Sequence, residues 1–311
     1  MSYTSVQTKT AFTRLKFFLA LSRTPHALLD LAAPALSAAL WMGALPSWGK
    51  IGLGLLTAFS GYLSVYALND VVDYRGDLRK LRRKGLQSIT KDLDSFLLLH
   101  PMAHGSLTLR EGFSWMVGWG LLALLGSYLL NPICTVIFLI ACLLEVIYCR
   151  LLQITSLRGV VSGIVKNSGG VAAVFAVDPH PSPLFLVVLF LWFFFWEIGG
   201  QNIPNDWMDI EEDRELNART LPVRFGTSGS LLIMIFALAM AALLSLIIFF
   251  VAPAKLNFLY PLGAVFAAVY VFALPASRIW KSRAVRDVSL LFNRASYYPL
   301  LMFLAVMLSF I

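Results

Sequence analysis

The sequence predicts an all-α fold, that of a polytopic membrane protein with nine transmembrane helices. The first observation is composition: the chain has 311 residues, 59% of them hydrophobic and 14% charged, with a mean hydropathy of +0.76. A soluble domain carries about 25% charged residues, so this chain lacks the polar surface of a water-exposed fold. The second is run length, because the apolar runs are continuous and near the roughly 20 residues that a spanning helix needs. A membrane barrel would instead alternate over segments of about 10 residues.

Nine apolar runs supply the predicted spans, because a helix satisfies every backbone polar group inside hydrocarbon. Asn131 and Pro132 mark a tight turn between the third and fourth runs. The last run begins with polar residues, so its first boundary is the least well defined. The predicted spans are approximately 26–45, 51–69, 114–130, 132–149, 158–177, 184–204, 229–251, 259–276 and 291–310.

The positive charges predict the orientation of these spans. With the N-terminus in the cytoplasm, Lys50 and Lys255 are nearly the whole basic content of the external connections, and the other connections carry the remaining Lys and Arg. This asymmetry follows the positive-inside rule, and it accounts for the net charge of +8 without a nucleic-acid partner. The first 25 residues show no cleavage site of a removed signal peptide. We therefore expect a multi-pass protein of the inner cell membrane, with no obligate protein partner.

Two polar breaks, 70–113 and 205–228, begin with one pattern and are predicted to be cytoplasmic motif loops. The pattern is N-D-x-x-D-x-x-x-D, and its two copies lie 136 positions apart at equivalent ends of apolar runs. This duplication predicts one domain over residues 1–311 with an internal four-helix repeat, about 26–150 and 158–276, and a ninth helix at about 291–310. The motif residues are Asn69, Asp70, Asp73 and Asp77 in the first copy, and Asn205, Asp206, Asp209 and Asp213 in the second.

The spacing within each motif indicates a cation site. At about 100° per residue, positions i, i+3 and i+7 fall within an arc of about 60° on a helix. Three carboxylates on one face repel one another unless a cation lies between them. Mg²⁺ prefers such oxygen ligands and also binds substrate phosphates. The alternative, that the motifs are merely solvated helix ends, does not account for two identical spacings.

Ionisation of a diphosphate ester also requires positive charge beside the leaving group and a dry cavity. Arg75 and Arg219 are the basic candidates near the motifs, and Lys166 lies inside the fifth predicted span. Glu197 is the predicted acidic counterpart of Lys166, although the sequence leaves open whether the two form a structural pair. Six aromatic residues are candidates for a cavity lining, with packing or lipid contact as the alternative. They are Tyr62, Tyr66, Tyr148, Trp192, Phe193 and Trp196.

These motifs, together with three further segments, resemble the UbiA superfamily of intramembrane prenyltransferases. Leu21–His26 is similar to the entry of the family's first helix, Ala218–Gly226 to its segment after the second motif, and Tyr148 to a tyrosine placed near the diphosphate. The resemblance implies a central cavity that opens to lipid, and Mg²⁺-dependent transfer of a prenyl group from a prenyl diphosphate to an acceptor that is often aromatic.

The predicted site residues follow from the motifs and this resemblance together. We predict that all six Asp residues bind Mg²⁺, and that four of them, Asp70, Asp73, Asp206 and Asp209, are catalytic. The predicted substrate-binding residues are Asn69, Arg75, His100, Tyr148, Lys166, Asn205 and Arg219.

Two departures from the family pattern leave alternatives open. His100 stands where the family usually has Arg, and Leu152 and Gln153 occupy a region where a basic pair is common. The expected function is transfer to an aromatic acceptor of quinone-type or specialised metabolism. A membrane terpene cyclase of the same superfamily is the first alternative. A cation-coupled transporter is the second, although transporters commonly hold such charges near the bilayer midplane rather than at helix ends.

Overall fold

The computed structural model describes residues 11–84, 98 and 100–311, and within these ranges every regular element is helical. Two π-helical segments, Glu197–Asn202 and Ala268–Ala273, interrupt longer helices, and Leu151–Gln153 forms a 3₁₀ turn. The α-helices are α1 Ala11–Leu21, α2 Thr24–Asp30, α3 Ala32–Met42, α4 Trp48–Lys84, α5 Leu109–Leu130, α6 Pro132–Arg150, α7 Arg158–Val177, α8 Pro183–Trp196, α9 Ile203–Met208, α10 Ile210–Glu215, α11 Leu221–Val251, α12 Leu259–Ala267, α13 Leu274–Ser282, α14 Val285–Ser296 and α15 Tyr298–Ser309.

The described helices confirm an integral, multi-pass membrane protein. Eight of them, counted across the short interruptions, are long and apolar enough to cross a membrane. The predicted span at 26–45 corresponds instead to α2 and α3, which are separate helices with Leu31 between them. Gly43 ends α3 in the left-handed region at φ 65°, where glycine carries no steric cost. The ninth crossing therefore stays a prediction.

The predicted motif loops are wrong as to their secondary structure. The whole first motif lies inside α4, a single helix of 37 residues. The second motif begins in α9 and continues in α10, with a bend at Asp209. Low hydropathy suggested loops, but Arg, Lys and Leu are good helix formers, so the helix continues beyond the apolar segment. Residues 85–97 of the first break lie outside the described part of the chain.

The connections gather at two ends of the bundle. At the end opposite the motifs, Trp41 donates to Asp178 across 3.0 Å and the Ala254 amide donates to the Leu40 carbonyl across 3.2 Å. At the end that carries the motifs, which we call the Asp-motif end, the Arg219 amide donates to the Leu152 carbonyl across 2.7 Å. The connections are therefore tied to one another at both ends.

The main hydrophobic core lies among α3, α8, α11, α12, α14 and α15. Trp192 is fully buried there and donates its indole N–H to the Tyr298 hydroxyl across 3.0 Å. Trp196 donates to the Ala295 carbonyl across 2.8 Å. Of the six aromatic candidates for a cavity lining, Trp192, Phe193 and Trp196 thus belong to the packed core and do not line the cavity.

The helix packing is consistent with the predicted repeat but does not test it. The helix that carries the first motif, α4, packs along α5, the next helix in the chain. The helix that leads into the second motif, α8, packs in the same way along α11. The internal repeat and its boundaries stay a prediction.

Candidate active site

One cavity of about 1310 Å³ runs along the inside of the bundle. At the Asp-motif end its wall includes residues of both motifs, and at the opposite end it reaches Pro46 and Ile51. Small residues of α4, α6 and α7 line the length between these ends, among them Gly54, Ala141 and Gly169. The fold therefore joins a charged chamber to a long apolar channel.

In the first motif, two of the three carboxylates converge on His100. The His100 Nδ1 atom lies 3.3 Å from Asp70 Oδ1 and 3.0 Å from Asp77 Oδ2. Asp70 and Asp77 are each 4% exposed, whereas Asp73 is half-buried, and both Asp73 and Asp77 line the cavity. Asp70 and Asp77 thus share one contact, because residues seven apart lie on nearly the same side of a helix. Asp73 faces the cavity.

The turn after residue 99 holds His100 in this place. Its backbone adopts φ 52°, and its carbonyl accepts the His104 amide across 3.2 Å. Met102 and Leu107 pack with Leu21 of α1 and Ala67 of α4 in a small buried cluster. Thr108 then begins α5 with a capping box, in which its hydroxyl and the Glu111 side chain satisfy each other's backbone amides.

The charge state of His100 follows from these neighbours. Burial lowers the pKa of its imidazole, but Asp70 and Asp77 raise it by a larger amount, so the pKa rises from its ordinary value to about 10. At neutral pH His100 is therefore a cation that lies between two carboxylates. Sequence reasoning placed His100 among the substrate-binding residues, and the structure places it against the first motif.

The second motif enters the cavity from a π-helical segment. Asp206 and Asp213 are each 4% exposed, while Asn205 and Asp209 are exposed at the cavity wall. The bend at Asp209, with φ −99° and ψ 11°, separates α9 from α10 and turns the later carboxylates back toward the cavity.

Arg158, which the sequence analysis did not single out, lies beside the second motif. Its guanidinium donates to the Tyr148 hydroxyl, lies over the Tyr148 ring at 4.3 Å and is 3.9 Å from Asp206 Oδ1. Arg158 is 9% exposed and lines the cavity with Tyr148. Its position as the first residue of a predicted span was the available signal, because a basic residue there is either a membrane anchor or a site residue.

Deeper in the cavity, α7 presents polar side chains at every turn. Ser162 donates to Glu197 Oε1 across 2.9 Å. One turn further, Lys166 Nζ donates to Asp30 Oδ2 across 2.8 Å and to the Tyr66 hydroxyl across 2.5 Å. The ion-pair partner of Lys166 is therefore Asp30, which answers the question that the sequence left open about Glu197. Tyr66 lies four residues before Asp70, so this cluster is about one helical turn from the first motif.

The structure does not bring Arg75 and Arg219 to the described cavity wall. Arg75 is exposed on α4. Arg219 is exposed and donates its side chain to the Ile154 carbonyl across 3.2 Å. Arg219 thereby joins the segment after the second motif to the connection before α7. Asn69 does line the cavity, and it donates to Glu145 Oε1 across 2.6 Å.

The donor set at the Asp-motif end is suited to a divalent cation. Carboxylate oxygens of Asp70 and Asp77 lie within 4.8 Å of each other, beside the His100 imidazole. Asp73, Asp209 and Asp213 add carboxylates around the same chamber. Hard cations such as Mg²⁺ take carboxylate oxygens as ligands and retain bound water for a phosphate to replace.

Comparisons with known proteins agree with this fold. The model of the UbiA prenyltransferase family matches residues 31–305, and comparison with curated proteins found no match. The apo structure of a UbiA homolog from Aeropyrum pernix K1 has a TM-score of 0.72 and 17% identity, over 92% of this chain and 98% of that chain. The structure of a UbiA homolog from Archaeoglobus fulgidus bound to DMAPP and Mg²⁺ has a TM-score of 0.65 and 16% identity, over 94% and 99%. A structure of digeranylgeranylglyceryl phosphate synthase has a TM-score of 0.69 and 17% identity, over 96% and 98%.

Proposed function

The chain belongs to the UbiA prenyltransferase family, and on this premise we propose that it transfers a prenyl group from a prenyl diphosphate to a small-molecule acceptor, with Mg²⁺ as the cofactor. The acceptor in this proposal is an aromatic compound of quinone-type or specialised metabolism. The neighbour from Archaeoglobus fulgidus, which was solved with DMAPP and Mg²⁺, supports the donor and the cation.

The observation that carries the proposal is the meeting of both Asp motifs at one end of one cavity. Asp73 and Asp77 of the first motif and Asp206, Asp209 and Asp213 of the second all line it. A diphosphate held between the two motifs directs its prenyl chain into the apolar channel that continues to Ile51. A solvated pair of helix ends has no such channel between its carboxylates.

The carboxylates and Arg158 have different proposed roles in ionisation of the prenyl diphosphate. The six carboxylates are the proposed ligands of Mg²⁺, which would neutralise charge that develops on the leaving diphosphate. Arg158, which is held by Tyr148 and lies 3.9 Å from Asp206, adds a permanent positive charge at the same level. The cavity lining beyond it is mostly apolar, which would limit the access of water to the allylic cation before it meets the acceptor.

The charge distribution supports the orientation that we propose for the protein. Among the described connections and helix ends opposite the motifs, the only Lys and Arg residues are Lys50, in the first turn of α4, and Lys255. The connections and helix ends at the Asp-motif end hold Arg150, Arg214, Arg219 and Arg283 among others. By the positive-inside rule, the proposed orientation places the motifs on the cytoplasmic side of the inner membrane.

The test is whether release of diphosphate depends on an acceptor. Purified protein is supplied with a labelled prenyl diphosphate and Mg²⁺, with and without a mixture of aromatic acceptors, and the products are identified by mass spectrometry. We expect release only with both substrates present, because a transferase gains from ionising its donor once the acceptor is in position. Stoichiometric release without acceptor, with cyclic products, would show a terpene cyclase. Metal-driven ion flux without any product would show a transporter.

A further inference from the structure

One carboxylate oxygen of the cavity wall has no hydrogen-bond partner among the described residues. This atom is Oε2 of Glu197, whose other oxygen accepts the Ser162 hydroxyl across 2.9 Å. Glu197 is 3% exposed, and both residues line the cavity. Buried polar atoms in folded proteins are nearly always paired, so an unpaired one beside a cavity indicates a position for a ligand's donor group.

The backbone around Glu197 also departs from regular structure. Glu197 is the first residue of the π-helical segment Glu197–Asn202, which leads directly to the second motif. Single π turns inside α-helices occur frequently at functional sites. A carboxylate within a membrane-spanning segment is costly, and such residues usually face a cavity that uses them.

The position of Glu197 relative to the proposed diphosphate site follows from α7. Arg158 marks the level of the second motif, since it lies 3.9 Å from Asp206. Ser162 is four residues further along the same helix, so its hydroxyl lies about 6 Å deeper in the cavity. Ser162 binds Glu197, which places that carboxylate one turn below the diphosphate. The first carbon of the prenyl chain, where the new bond forms, enters the cavity at this depth.

We propose that Glu197 and Ser162 form the acceptor subsite, and that its ligand is a neutral, hydroxyl-bearing acceptor such as a phenol. This proposal rests on the prenyl transfer proposed above. The acceptor's hydroxyl donates to Glu197 Oε2, and its oxygen forms a bond to the first prenyl carbon as the bond from that carbon to the diphosphate oxygen breaks. The diphosphate leaves with the bonding electrons, and the hydroxyl proton passes to Glu197.

The charges nearby favour a neutral acceptor over an anionic one. A phosphate or carboxylate group at this depth would face the Glu197 carboxylate. Lys166, the cation one turn deeper, is already engaged by Asp30 and Tyr66. Glu145, another buried carboxylate on the cavity wall, adds to the negative charge, and its Oε1 is already taken by Asn69. A hydroxyl that donates is the group that this wall accommodates.

The experiment compares Glu197→Gln and Ser162→Ala with the wild type in two assays. The first is Mg²⁺-dependent binding of a prenyl thiolodiphosphate, an unreactive donor analogue. The second is prenyl transfer to substituted phenols of graded acidity. Glu197→Gln keeps the size of the side chain but removes the base, so we expect donor binding within twofold of wild type and a fall in kcat of about 100-fold. Ser162→Ala keeps the base and loses only its alignment, so its kcat falls by about tenfold or less.

The phenol series separates a base from a structural residue. If Glu197 takes up the proton, the loss of kcat in Glu197→Gln is smallest for the most acidic phenols, which ionise without a base. Three results for Glu197→Gln would each overturn the role of Glu197. They are an equal loss of kcat for every phenol, a kcat within threefold of wild type, and a loss of donor binding that parallels the loss of kcat. Wild-type protein that binds the donor analogue but accepts no phenol overturns the acceptor class. Wild-type protein that binds no donor analogue with Mg²⁺ overturns the proposed function itself.

Discussion

Replacement of Lys166 by methionine distinguishes a structural ion pair from a substrate-binding group. Lys166 Nζ and Asp30 Oδ2 are 2.8 Å apart, with side chains 25% and 12% exposed. Two unit charges at that distance attract by about 6 kcal/mol at an effective dielectric constant of about 20. Desolvation offsets much of this attraction, but removal of one partner leaves the other charge buried, which costs about 3–5 kcal/mol. We therefore expect Lys166→Met to lower the free energy of unfolding by about that amount.

The double variant Asp30→Asn/Lys166→Met tests whether the instability of Lys166→Met comes from the unpaired charge of Asp30. Asparagine still accepts the Tyr66 hydroxyl, which donates to Asp30 across 2.5 Å, and neither residue then carries a charge. We expect the double variant to recover more than half of the stability that the single variant loses. The free energies of unfolding are measured by titration with SDS in mixed micelles. Lys255→Met, at an exposed lysine of the opposite end, is the matched control and should leave stability unchanged.

The opposite result has a definite meaning. A Lys166→Met protein as stable as wild type, but unable to bind a prenyl thiolodiphosphate, would show that Lys166 is the substrate-binding residue that the sequence suggested. Equal destabilisation of the single and double variants would show that packing, rather than the unpaired Asp30, sets the cost.

Three further predictions concern the motifs, the orientation and His100. Alanine at any one of the four proposed catalytic carboxylates should lower kcat by about 100-fold or more while the protein still folds, and EDTA should abolish activity until Mg²⁺ is restored; full turnover in EDTA would contradict the mechanism. In a cysteine-free background, a cysteine at exposed position 75 should be labelled from the cytoplasm and one at exposed position 180 from outside, and the reverse labelling would invert the topology. In EDTA, the stability that His100 adds should be fully present below about pH 6.5 and lost as pH rises through about 10, because its pKa is raised in the fold; His100→Ala should unfold without that dependence.

The overall class and the helix-face spacing of the Asp motifs could be predicted from the sequence because both depend on local patterns. Apolar run length sets the approximate position of eight of the nine predicted spans, and the i, i+3, i+7 spacing sets a shared helix face. The motif loops were wrong because hydropathy reports where a helix leaves hydrocarbon rather than where it ends. In α4 the helix continues to Lys84, fifteen residues past the end of the predicted span at residue 69.

Contacts between distant segments could not be read in this way. Asp30 and Lys166 lie 136 positions apart and meet only because α2 and α7 line one cavity. The sequence offered Glu197 as the partner of Lys166 because it is the acidic residue of the next span. In the structure Glu197 instead accepts a hydrogen bond from Ser162, one turn nearer the motifs.

Arg158 supplies positive charge near the place where the family's basic pair is missing from this sequence. In sequence, Leu152 and Gln153 stand in the region where the family often has a basic pair after the tyrosine, a departure that left the acceptor open. The connection between α6 and α7 is short, however, and it returns the first residue of α7 to the end of α6. There the Arg158 guanidinium reaches both the Tyr148 hydroxyl and Asp206. A guanidinium cannot deprotonate and offers several fixed donors, so one residue on the next helix can meet the electrostatic requirement of the missing pair.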